Sequence, residues 1–225
     1  MTSSALLNAH GPGTCEGDPA WLRAVAVLNL SPVAYADTSW LPLNVPHASA
    51  ALRRELSNDL LAQHALNEQF NWQPTQPAMR PMLLSRTSWD ELALAAGVLA
   101  HRNRLRQVVQ RDALAQWREL LADRLELLWS PLAERVPALP SPGRSTPGLQ
   151  ALNTLREDGQ ALLLGLLNPS DPEHLPVLGR AQFRLPRDRW HDKAAWRPLV
   201  SQADSVAESL MELLPRWSPQ WTWLS

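Results

Sequence analysis

The chain has 225 residues, 45% of them hydrophobic, and a formal net charge of −1. That composition excludes a disordered chain and leaves room for a sizeable core. Near-neutrality excludes a global electrostatic drive toward nucleic acid or anionic lipid. Cys15 is the only cysteine, so no intrachain disulfide forms, and a reducing compartment fits.

Residues 1–20 carry Gly, Ser and Pro with little periodicity, which predicts a flexible N-terminal tail ahead of a helical domain over 21–225. The first residues have no basic stretch followed by a long apolar one, so they do not read as a secretory signal. Residues Ala24–Leu30 are short, apolar and bounded by Pro32, the pattern of a strand or buried extended segment. Pro32, Pro42 and Pro46 then impose an irregular path.

Leu52, Leu56, Leu60, Leu66 and Phe70 predict a helix over about 49–70, stopped before Pro74. Ser88-Trp89-Asp90-Glu91 reads as a capping box that opens a second helix to about Asn103. This helix is apolar nearly all round. Gly97 within it costs about 1 kcal/mol against Ala, which predicts close approach of a neighbouring helix there. A third helical stretch spans about 105–129, with a break near 110–112. Leu114, Trp117, Leu121, Leu125 and Leu128 share one face of it.

Residues 130–148 hold five prolines and two glycines, the composition of a long surface loop or a hinge between two helical halves. A fourth helix is predicted over about 149–167, with Leu149, Leu152, Leu155, Leu162 and Leu166 inward. Ala181, Phe183 and Leu185 alternate with Arg180, Gln182 and Arg184, a strand-like pattern that could pair with Ala24–Leu30. A last helix is predicted over about 198–214, with Pro198 near its first turn and Pro215 ending it. The fold class is mainly α: one compact helical domain of about five to seven helices, with room for a small two-stranded ribbon.

Chemical motifs are scarce. No Gly-rich phosphate loop occurs, and no two of the six histidines stand three or four residues apart to grip a metal from one helix. No G-x-S-x-G elbow is present. Glu157-Asp158 reads as a solvated helix face, since adjacent carboxylates point to different sides. The longest apolar runs, Leu92–Ala100 and Ala161–Leu167, fall far below the ~20 residues that span a bilayer. These readings find no motif for an enzymatic reaction or for a cofactor.

Two features suggest partner binding. Arg102 and Arg106 stand four apart and would share a helix face, with Arg111 continuing the cluster; such a patch is either a solvated face or a dock for an acidic protein surface. Eleven tryptophans stand against one tyrosine and two phenylalanines. Trp217, Trp221 and Trp223 follow Pro215 in a stretch too short for its own core, so they either clamp the last helix or dock a partner.

In this order the pieces resemble the SctK family of type III secretion systems, the YscK/PscK type. The likeness lies in the apolar segment before Leu30-Ser31-Pro32-Val33-Ala34-Tyr35, then Trp40-Leu41-Pro42, then Leu66-Asn67-Glu68-Gln69-Phe70. It continues through the helix Glu91–Ala100, its Arg-containing extension, and the alternating Leu178–Pro186 segment. It covers roughly Val27 to Leu214. Ser31 departs from it, standing where the family leads one to expect Cys. The resemblance implies a helical, non-enzymatic cytoplasmic adaptor of the sorting platform beneath the injectisome. Its implied partners are the SctQ-like pod protein and the cytoplasmic domain of the SctD-like inner-membrane ring protein, with the SctL/SctN ATPase complex reached indirectly. It assigns no site to particular residues. The alternative is a type III secretion chaperone or regulatory binding protein.

Overall fold

The computed structural model describes residues 18–42, 45, 48–108, 111–136, 138, 148–188 and 202–217. These residues are mainly helical, in ten α-helices joined by 3-10 turns, with no strand among them.

Helix α1 (Pro19–Leu30) begins where Asp18 accepts from the Ala20 amide and Pro19 pre-sets the first turn. The expected extended segment is therefore a helix. Trp21, Ala24, Val25 and Leu28 are buried, spaced 3, 1 and 3 apart, so one helical face packs inward. The β-branched residues that suggest a strand are overruled by the cap and by packing. Pro19 and Ala20 also shorten the expected N-terminal tail; residues 1–17 lie outside the described part.

Pro32–Ala34 and Thr38–Trp40 are single 3-10 turns. Helix α2 (Ala50–Gln63) is capped by the Ser49 hydroxyl, which accepts from the Leu52 amide. It ends seven residues before Phe70. Ala65 takes a left-handed conformation (φ 54°), and the Leu66 amide reaches back to the Leu61 carbonyl, the closure of a Schellman motif.

After the 3-10 segment Pro77–Leu83 comes helix α3 (Arg86–Ala100). Its cap is Ser85, whose hydroxyl accepts from the Ser88 amide, so the capping box expected at Ser88 starts three residues too late. Short α4 (Arg102–Arg106) and α5 (Arg111–Leu121) follow. The chain then tightens into a 3-10 helix over Ala122–Trp129, beginning at a left-handed Ala122 (φ 46°). The expected face survives this change: Trp117, Leu121, Leu125 and Leu128 are buried together, with Leu114 packed against them.

Helix α6 (Leu132–Arg135) lies within the Pro-rich stretch, and α7 (Leu149–Gly165) follows it. Helices α3 and α7, on either side of the stretch, pack directly, and α9 touches α6 within it. Helix α8 (Leu175–Ala181) runs into a 3-10 turn, Gln182–Arg184. The expected strand-like piece is thus helical, and the ribbon with Ala24–Leu30 is absent because neither partner is extended. Residues 180–185 are all buried, so alternation there does not mark an exposed face. Helices α9 (Ala203–Met211) and α10 (Leu214–Trp217) end the described chain. Residues 198–201 of the predicted last helix lie outside it. Among the described residues no helix is long and apolar enough to cross a membrane.

The α3–α7 pair is the spine. A Cβ built on Gly97 would stand 2.6 Å from the Leu155 carbonyl carbon, and one on Gly159 would stand 2.7 Å from both the Ala93 carbonyl carbon and the Gly97 nitrogen. The two backbones touch, as the glycine in the apolar run predicts.

Candidate partner-binding groove

The arginine cluster is divided: Arg102 is buried, while Arg106 stays exposed and is held at the surface by its partners. Arg102 is only 8% exposed, and its Nη1 donates to the carbonyls of Leu99 (3.1 Å) and Val136 (2.6 Å). Arg106 donates through Nε to the Leu128 carbonyl at 2.8 Å, through Nη2 to the same oxygen, and pairs with Glu134 at 3.3 Å. Both side chains tie α4 to the 3-10 helix and α6. Burial withdraws Arg102 from the expected Arg102/Arg106 docking face, while Arg106 remains exposed; carbonyls near the ends of α3, α6 and the 3-10 helix engage the two guanidinium groups. Arg111 is exposed at the start of α5. Trp217 sits in α10 by its backbone, while Trp221 and Trp223 lie outside the described residues.

Two further arginines are interior, and the sequence pattern hid both. Arg180 donates to the carbonyls of Asn29, Pro176 and Leu66 at 3.2, 3.0 and 2.9 Å. Arg184 lies between the rings of Tyr35 and Trp89, 4.7 and 4.9 Å from their centroids, and gives Nη2 to the Met82 and Leu84 carbonyls, both at 2.7 Å. Burial lowers Arg184 to about 10, opposed by Tyr35 and Asp90. Burial also raises the Tyr35 phenol, against the pull of the two arginines. The phenol donates to the Leu28 carbonyl at 2.8 Å. These contacts join the 3-10 turns to α1, α3 and α8.

His101, at the end of α3, meets the Asp158 carboxylate of α7 at 2.6 Å. Asp158 thus belongs to the helix–helix seam, which corrects the solvated face expected for Glu157-Asp158 at that residue; Glu157 is exposed. Among the described residues no group of three or more His, Cys, Asp or Glu is arranged to hold a metal ion.

A groove of about 980 Å³ opens between the end of α1, the two 3-10 turns and α2. Val27 and Leu30 of α1 are 36% and 45% exposed and form one wall. Val33, Ala34, Leu41, Pro42 and Val45 continue the apolar lining, and α2 contributes Ala50, Arg53, Arg54, Ser57 and Asn58. Arg86 reaches the rim from α3, holding the wall by Nη1 to the Ala36 carbonyl (2.6 Å) and Nη2 to Asp37 (3.0 Å). The wall is locked from behind. Trp40 Nε1 donates to the Leu185 carbonyl at 2.7 Å, and the Asp37 amide to the Phe183 carbonyl at 2.6 Å. An apolar concavity with fixed walls and a polar rim suits a protein segment or small apolar ligand. Sequence reasoning did not locate it. Its floor lies in a Pro-broken stretch with no period between two helices, and the exposure of that stretch depends on how the turns stack. No family model matches the chain, and neither a curated protein nor a solved structure does.

Proposed function

We propose that this chain is a non-enzymatic adaptor of the type III secretion sorting platform. It links the cytoplasmic domain of an SctD-like ring protein to an SctQ-like pod protein, and through the latter to the SctL/SctN ATPase complex, at the cytoplasmic face of the inner membrane. One observation carries the reading. The segments Leu30–Tyr35 and Trp40–Pro42, on which the resemblance to the SctK family leans, supply much of the apolar lining of the open groove. Residues with that exposure in a non-periodic stretch serve binding better than they serve the core. The rigid, locked walls also suit an adaptor, because a preformed groove spends little ordering entropy on binding. Co-expression of the full chain with the SctQ-like protein and the cytoplasmic part of the SctD-like protein of the same organism tests this. The expected outcome is a complex containing all three. Recovery of the chain with neither partner removes the proposal.

A further inference from the structure

We infer that the groove takes an amphipathic helix whose flank beside α2 carries carboxylates. This rests on the reading of the groove as a partner-binding site and specifies the chemistry of what fills it. The charge around it is one-sided. Arg53, Arg54 and Arg86 line the groove, and no Asp or Glu does. Arg86 is already held by Asp37. Arg53 and Arg54 are exposed and form no ion pair among the described residues. Two free guanidinium groups one residue apart at the edge of an apolar trough are complementary to carboxylates on the flank of an apolar face.

The shape selects a helix. The groove is bounded by helices and 3-10 turns, and no strand among the described residues offers an edge for a partner strand. The α2 face toward it is built from positions 50, 53, 54, 57 and 58, the spacing of one helical stripe, about 12 Å long at 1.5 Å per residue. Ala50 and Ser57 on that stripe are small, so a partner helix can approach α2 closely. Val27 and Leu30 on the opposite wall receive its apolar side chains. Glu55 and Asp59 of α2 stand outside the lining.

A displayed library of random peptides of about 16 residues, more than four helical turns, selected on the intact full-length chain, tests this. The expected binders carry apolar residues at three- and four-residue spacing with Asp or Glu flanking them. Their affinity for R53E/R54E should fall about tenfold or more, as expected when two rim pairs turn repulsive, and it should weaken with salt. L30D should abolish binding, while circular dichroism of both variants matches the parent. Basic or uncharged binders, or affinity unmoved by R53E/R54E, overturn the inference, as does a selection that yields no binder. A chain that elutes as a dimer, and as a monomer only when R53E/R54E is present, also overturns it and assigns the groove to a second copy. The two readings separate cleanly. Acidic helical binders without co-purification of the SctQ- and SctD-like proteins remove the family assignment and leave the groove chemistry standing. Co-purification undiminished in R53E/R54E and L30D keeps the adaptor and removes the groove chemistry.

Discussion

Arg180 is fully buried, yet its charge is met by carbonyl oxygens, with no carboxylate partner among the described residues. Those carbonyls belong to Asn29 at the end of α1, Leu66 just beyond α2, and Pro176 in the first turn of α8, so one side chain ties the ends of α1 and α2 to its own helix. Arg180→Met leaves oxygens without donors, and Arg180→Lys replaces a fork with a point charge that cannot reach all three. The Met variant should lose about 1–3 kcal/mol in urea unfolding, the cost of leaving buried acceptors without donors, and Lys should recover only part of it. His64 makes a different residue-scale prediction. It stands edge-on to Trp40 and Phe183, at 5.3 and 5.2 Å. Burial first, and the Arg187 guanidinium second, hold its pKa below the ordinary 6.5. The unfolded chain therefore takes up a proton at this ring at a higher pH than the folded chain does. Stability from this residue rises with pH across that window and is lost as pH falls below about 6.5. His64→Phe keeps the ring contacts and removes the titration. Between about pH 7 and about pH 5 the parent should lose stability relative to the variant; parallel curves would show that the ring is neutral for folding.

At the scale of elements, the contact between α3 and α7 decides the packing. In isolation, Gly97→Ala or Gly159→Ala would favour the helix by about 1 kcal/mol. In this pair each added methyl meets backbone of the opposite helix, which cannot rotate away as a side chain can. Overpacking of this kind costs about 1–3 kcal/mol or more, so both variants should unfold at lower urea concentration than the parent. A gain in stability would mean that the two helices stand farther apart. Gly97 was legible in the sequence because a costly glycine in an otherwise ideal helical run needs a reason. The face Trp117–Leu121–Leu125–Leu128 was legible too, since the spacing that defines a helical stripe tolerates a switch to 3-10 geometry. Ala24–Leu30 was misread because a short apolar run does not by itself separate strand from helix; Asp18 and Pro19 were the better signal. Arg180 and Arg184 were hidden for a physical reason. Where carbonyls gather at several helix ends, arginine becomes an interior residue, and no local pattern announces that. The groove was illegible for the same cause, being made by the stacking of two turns against two helices.

For the whole molecule, the question is whether it unfolds as one body. Two groups of buried side chains can be traced. The larger includes Trp21, Trp40, Trp89 and Phe183. The smaller gathers Trp117, Leu121, Leu125 and Leu128 around Leu94, Val98 and Leu155. Helices α3 and α7 serve both. Leu92 and Leu99 of α3 face the first group while Leu94 and Val98 face the second, and α7 divides likewise between Leu163 and Leu155. Opening the smaller group alone would strip one side of the spine that the larger group needs. The Pro-rich stretch after α6 therefore joins parts of one core, and is not expected to divide the chain into separately folding halves. Chains of this length often show intermediates, so a single transition is a demanding expectation. Trp117 supplies the probe, because its indole N–H is buried without a hydrogen-bond partner and Phe can replace the ring without losing one. Trp117→Phe should cost about 1–2 kcal/mol, below the ~3–5 of Trp117→Ala. Urea transitions of the parent followed by helical circular dichroism and by tryptophan fluorescence should coincide, and they should coincide again in Trp117→Phe at a lower midpoint. Suppose instead that parental fluorescence moves ahead of the helical signal and that this lead vanishes in Trp117→Phe. The smaller group would then be a separate unit, and the α3–α7 spine would not couple the two.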